Sequence, residues 1–165
     1  MKARVLVSAC LLGQRVRYDG GGHGPFDLLE TWRDEGRVIS VCPEVAGGLG
    51  VPRPPAEIVG GTGADVHAAT AAVITDAGVD VSGQFRRGAE VALELVRHHD
   101  IRVAVLKERS PSCGSGAIYD GTHSRTLTRG DGVTTALLRE HGVEVFGESE
   151  LAAADAMLRE LDPVD

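Results

Sequence analysis

The chain has 165 residues, a formal net charge of −7 and three cysteines. Its length fits one domain of about 100–200 residues with its own core, and its acidic balance argues against coating nucleic acid, whose phosphates attract clustered Lys and Arg. No run approaches the roughly 18 consecutive apolar residues of a membrane span, and MKARVLVSAC enters a strand pattern directly, so neither a signal peptide nor an anchor is expected.

Arg4 to Ser8 (RVLVS) is a short β-branched run of strand length, followed by a glycine-rich loop that ends near His23. Pro25 to Glu35 sets Phe26, Leu29 and Trp32 at helical spacing, with a proline early and Gly36 as the stop. Arg37 to Val41 (RVISV) is the second strand, and the Gly- and Pro-rich stretch from Pro43 to Pro55 is expected to lack regular structure. AEIVG and AAVIT, between Ala56 and Gly78, read as short strands that could pair as a hairpin at the sheet edge, although the alanine run is also compatible with helix.

Phe85, Ala89, Leu93 and Val96 recur on one helical face, so Val81 to His98 is predicted to be a helix with Ser82 near its cap. His98 and His99, at its end, read as partners of the helix dipole. Val103 to Leu106 (VAVL) is the next strand, followed by a polar loop from Lys107 to about Asp131. A helix from Gly132 to His141 stops at Gly142; Val143 to Phe146 and Glu150 to Leu161 supply a last strand and helix. Strands alternating with helices predict a single α/β domain, a Rossmann-like parallel sheet with helices on both faces.

Cys10, Cys42 and Cys113 each follow the carboxyl end of a predicted strand. In an open parallel sheet those ends share one edge, where ligands bind at the point of strand-order reversal. A lone cysteine is more often a small core hydrophobe, but these three lie in polar segments (SACLLG, VCPEVAGG, ERSPSCGSG) where core filler has little reason to be. An odd number of thiols fits a reducing compartment better than a disulfide framework, so cytoplasm is the expected address.

Three thiolates can bind zinc, with His23, His67 or His123 as a fourth ligand, or three irons of a cubane. The spacing lacks the close cysteine pairs of zinc ribbons and the compact runs of ferredoxins, and does not decide between them. Arg15, Arg17, Arg53, Lys107 and Arg109 lie in the same segments and could receive an anion. Gly47, Gly48, Gly114 and Gly116 permit close backbone approach, and Pro43, Pro52, Pro54 and Pro55 stiffen the loop between them.

Together, VSACLLG with RYDGG, VCPEVAGGLGVPRPPAEI, LKERSPSCGSGAIYDG and GVTTALLREHGVEVF closely resemble the DUF523 family, small bacterial proteins that include thiouracil and thiouridine desulfidases. The resemblance spans nearly the whole chain as one domain, residues 1–165. It implies a 4Fe-4S cluster held by Cys10, Cys42 and Cys113 with one iron open, acting on a thiolated pyrimidine of the 2-thiouracil, 4-thiouracil or 4-thiouridine type.

Water attacking the thiocarbonyl carbon needs a base. Glu44, two residues after Cys42, is the chosen carboxylate, ahead of Glu57 and Asp19. Ser110, just before Pro111, is the candidate for a hydrogen bond or proton relay, and Ser112, Arg53, Lys107 and Arg109 are candidates for holding substrate. Two rivals are a metal-free cysteine sulfurtransferase, which needs one essential thiolate, and a zinc-stabilised small-molecule binding module.

Overall fold

Strand β1 (Val5–Ser8) is buried along its whole length and is flanked by two parallel partners. On one side it pairs with β2 (Val38–Val41), Val5 opposite Val38. On the other it pairs with β5 (Val103–Val105), Val5 opposite Val103, and β5 pairs in turn with β8 (Glu144–Phe146). The order β2-β1-β5-β8 means that the chain leaves β1 first to one side and later to the other. A crevice therefore opens at the carboxyl ends of β1 and β5. This computed structural model describes residues 1–164.

Alternation along the strands assigns the two faces. Val5, Val7, Val103 and Val105 pack with Leu29 and Trp32 of α1 (Asp27–Asp34) and with Ala154 and Leu158 of α6 (Leu151–Leu161). Leu6 and Ala104 point the other way, onto Ala92, Leu93 and Val96 of α4 (Ser82–His98) and Leu138 of α5 (Val133–Glu140). Each fully buried Leu or Val contributes about 1.5–3 kcal/mol from removal of apolar surface. The expected α/β sheet with helices on both faces is present. Helix α1 begins at Asp27, two residues later than the Pro25 start expected from sequence, with Phe26 in extended conformation at its cap.

Three regions differ from expectation. The stretch from Pro43 to Pro55 contains a one-turn helix, α2 (Pro43–Ala46), with Pro43 at its first position, where the missing N–H costs nothing. Strands β3 (Ala56–Val59) and β4 (Ala72–Thr75) do form an antiparallel hairpin, but as a sheet of their own rather than at the edge of the main one, with α3 (Gly63–His67) between them. The presumed polar loop after Lys107 contains a second hairpin, β6 (Ala117–Tyr119) with β7 (Leu127–Arg129). Ile58, Val66, Val73, Phe85, Ile118 and Val133 form a core beneath these hairpins.

Ser82 is the first residue of α4, next to Val81 at the cap, and its hydroxyl accepts Val73 N–H at 2.8 Å, fastening β4 to the helix. The Asp80 carboxylate takes the Ser82 N–H, also at 2.8 Å. His99 sits at the C-cap and its Nδ1 lies 2.6 Å from the Arg4 guanidinium.

At the amino edge of the main sheet the guanidinium of Arg37 is 0% exposed and forms two bonds to Asp162, at 2.8 and 2.7 Å. Asp162 also accepts Ala3 N–H, which ties the end of α6 to the start of β1. Glu35 binds Arg159 and Lys2. These bonds hold both carboxyls below their ordinary range: Arg37 first and then Ala3 N–H for Asp162, and Arg159 first and then Lys2 for Glu35, which falls to about 2. A depressed folded-state pKa adds stability that is complete above the unfolded value, about 4 for a carboxylate, and is lost as pH falls through the folded value. Melting temperature is therefore expected to drop as pH is lowered from about 4.5 toward 2, and Asp162→Asn to flatten part of that limb, measured by circular dichroism melts across pH.

Candidate metal centre

Cys10 lies in a single 3-10 turn, Ala9–Leu12, directly after β1. Cys42 follows β2 and forms the N-cap of α2. Cys113 lies beyond β5 in a turn held by Ser110, whose hydroxyl accepts the N–H groups of Ser112 and Cys113, both at 3.0 Å. All three line one cavity of about 390 Å³ at the carboxyl edge, together with Glu44 and Ser110. Cys10 and Cys113 are buried, Cys42 is half-buried, and all three are free thiols.

Burial raises every one of these thiol pKa values. Cys10 is pushed up to about 11 by desolvation and then by neighbouring Cys42; Cys113 is pushed up to about 12, again chiefly by desolvation. Cys42 is raised as well, mainly by burial. Such burial disfavours the thiolate form on which nucleophilic attack depends. A metal, by contrast, displaces the protons as it binds.

Among the described residues, no three His, Cys, Asp or Glu side chains gather closely enough to hold one metal ion. The histidines considered for zinc diverge: Nε2 of His67 lies 2.8 Å from the Val133 carbonyl, His23 borders a separate glycine-rich hollow beside Asp19, and only His123 reaches the thiol cavity. Soft donors spread around a cavity suit a polynuclear centre, whose separate iron corners each take one thiolate.

Glu44 occupies the first turn of α2, and its side chain is 19% exposed. Burial raises its pKa, while the Arg53 guanidinium 3.3 Å away opposes the rise. Glu57 also borders the cavity, but its Oε1 accepts Gly121 N–H at 3.0 Å and His123 N–H at 3.2 Å, so it braces a loop. Asp19 accepts Gly21 N–H in its own turn and lies outside the cavity wall.

Lys107 lines the cavity with its ammonium paired to Glu148 at 2.9 Å, and Arg109 lines it too, in a left-handed backbone conformation. Ser112, expected to face substrate, is fully buried beside Thr134 (2.8 Å between hydroxyls) and lies outside the wall. Sequence reasoning missed Tyr119 and Arg125, which line the cavity from the unforeseen second hairpin, and Tyr18, which comes from the RYDGG motif. Ser8 was also missed; its hydroxyl accepts Lys107 N–H at 2.9 Å and joins the ends of β1 and β5.

The cavity is positioned by backbone contact between α2 and α4. A Cβ on Gly88 would be driven into the Pro43 carbonyl, and one on Gly47 into the Gln84 carbonyl. Neither obstacle is a flexible side chain. Gly88→Ala is expected to push α2 away, costing about 1–3 kcal/mol as overpacking does and lowering metal loading through Cys42; denaturant unfolding and iron analysis check both.

A doubly wound sheet with thiols and a carboxylate gathered at its switch point is the architecture of an α/β enzyme. The 2-thiouracil desulfurase family model matches residues 5–150, and the chain belongs to that family. The resemblance carried by the cysteine motifs is thus borne out. The solved structure of the [4Fe-4S]-dependent thiouracil desulfidase TudS superposes with a TM-score of 0.88 at 48% identity, covering 97% of this chain and 100% of that one. YbbK of Bacillus subtilis (strain 168) is 44% identical over 147 residues, 89% of this chain and 97% of that protein.

Proposed function

We propose that this enzyme removes sulfur from a thiolated pyrimidine of the 2-thiouracil, 4-thiouracil or 4-thiouridine type, using a 4Fe-4S cluster held by Cys10, Cys42 and Cys113. The observation that carries this reading is the convergence of three free thiols and a partly buried carboxylate on one cavity. In the net reaction the thiocarbonyl sulfur is exchanged for the oxygen of water, and the two protons of water leave with sulfide. No electron is gained or lost by the substrate. When bound, the cluster supplies a soft Lewis acid at its open iron, matched to sulfur.

The chain's own residues supply the remaining functions. Glu44 takes a proton from the attacking water, and its partial burial makes it a stronger base than an exposed carboxylate. The Ser110 hydroxyl accepts two backbone N–H groups, which leaves its own proton for the substrate ring or leaving sulfur. Lys107 and Arg109 present cations to polar parts of the substrate. No helix among the described residues is long and apolar enough to cross a membrane, and three free thiols suit the reducing cytoplasm.

The test is purification without oxygen followed by visible absorption, iron analysis and incubation with each thiopyrimidine. Broad visible absorption, about four irons per chain and release of sulfide with the matching uracil product are expected. Turnover by iron-free protein would establish the sulfurtransferase instead, and zinc without turnover the binding module.

A further inference from the structure

The guanidinium of Arg53 is directed away from the role its charge suggests. Its side chain is only 6% exposed, although it borders the cavity. Nε donates to Glu44 Oε1 at 3.3 Å, Nη1 to the Gly50 carbonyl at 3.0 Å and Nη2 to the Val16 carbonyl at 3.0 Å. The backbone N–H of Arg53 donates to the Tyr18 carbonyl at 2.7 Å. Every nitrogen of the side chain thus has a protein acceptor, which engages three of its five N–H donors and holds the fork against its own loops.

The acceptors come from separate stretches of chain. Val16 and Tyr18 lie in the loop after Cys10, Glu44 is in the first turn after Cys42, and Gly50 is on the way back from that turn. The Val16 carbonyl is shared, since the Cys42 thiol also donates to it at 3.8 Å. One planar fork therefore fastens the loop of the first cysteine to the turn that carries the second cysteine and Glu44. A lysine, with its point charge and single nitrogen, cannot span these directions.

We propose that Arg53 is a positioning residue that aims the Glu44 carboxylate into the cavity by clamping residues 16–18 to residues 44–50, and that it does not bind substrate. This rests on the reading of Glu44 as the base. Misplacing a reacting group by about 1 Å can cost about 10²-fold in rate, so loss of the clamp should register in turnover rather than in binding.

The experiment compares wild type, Arg53→Gln, Arg53→Lys, Glu44→Gln and the Arg53→Gln/Glu44→Gln double variant as cluster-loaded protein prepared without oxygen, with thiouracil as substrate. Both Arg53 variants should lose at least about tenfold in kcat with KM changed by less than about threefold. They should retain iron and show faster backbone hydrogen exchange in residues 16–18 and 44–50. In the double variant, the Arg53 change should add almost nothing to the loss from Glu44→Gln.

A raised KM with intact kcat would make Arg53 a substrate cation and overturn the proposal. So would additive losses in the double variant, or unchanged exchange. Full rescue by lysine would show that charge rather than the fork matters, and would overturn it too. Wild-type turnover by iron-replete Glu44→Gln would sink the base assignment itself, a result read from that single variant and distinguishable from failure of the clamp. Should Arg53→Gln fail to fold, Arg53→Lys keeps the charge and carries the same comparisons.

Discussion

Replacing Cys10, Cys42 or Cys113 by serine is expected to remove both the cluster and turnover, with similar severity at each position. The three thiols follow three adjacent strands and face one cavity, so each would serve a different iron corner and none could stand in for another. Serine keeps the size but offers a hard oxygen whose proton is far harder to remove than that of a thiol, and iron in a sulfide cluster prefers soft donors. The serine variants should still fold, because the core is formed chiefly by the strands and helices and serine keeps the size of the thiol at Cys10 and Cys113, the two that are themselves members of core clusters. Iron content, visible absorption and melting temperature measured on one sample separate loss of the centre from loss of the fold. Full activity in a metal-free Cys10→Ser or Cys42→Ser protein would replace the cluster with a single nucleophilic thiol.

Glu44→Gln should leave iron in place and slow sulfur removal by about 10²–10⁴-fold, the usual contribution of a general base. The amide matches the carboxylate in size and can still accept a hydrogen bond from Arg53 Nε, so the one-turn helix that carries it should persist. What disappears is the ability to take a proton from water. If Glu44 served only to brace its loop, iron and activity would fall together. Single-turnover rate, substrate binding and iron content on the same oxygen-free sample decide the matter. Near-normal turnover with a full cluster would eliminate Glu44 and move attention to Ser110, because Glu57 is already engaged with two backbone N–H groups of the 121–123 loop.

The frame of the protein was legible because its signals are strong where packing is strong. Val5 to Val7 and Val103 to Val105 are covered on both faces and read as unbroken apolar runs, as buried parallel strands do. The cysteines were legible for a related reason: a thiol placed just past such a run must arrive at the same edge. The second hairpin was not, because Leu127 to Arg129 is exposed throughout and shows no alternation of apolar and polar residues. Short apolar runs such as AEIVG and AAVIT read as strands with helix left open for the alanine run, and the pattern carries no information about which sheet the observed strands join.

Side-chain direction was the other blind spot. Ser112 and Arg53 lie in the right segments, yet Ser112 turns into the core and Arg53 back onto its own loops. Composition places a residue near a site; only the local backbone says which way it faces. Helix α2 was hidden for a different reason, since Pro43 reads as a breaker unless it is recognised as a helix start.

The bond between Ala3 and Asp162 at the amino edge of the sheet has a practical consequence for handling the enzyme. Residues 3 and 162 lie side by side at the amino edge of the sheet, opposite the carboxyl edge that carries the thiol cavity. A fusion partner, surface tether or affinity handle attached at either place is carried away from the opening through which substrate arrives. The same proximity allows a short linker to join the two and the polypeptide to be reopened in an exposed turn, giving a permuted enzyme whose sulfur chemistry is left in place.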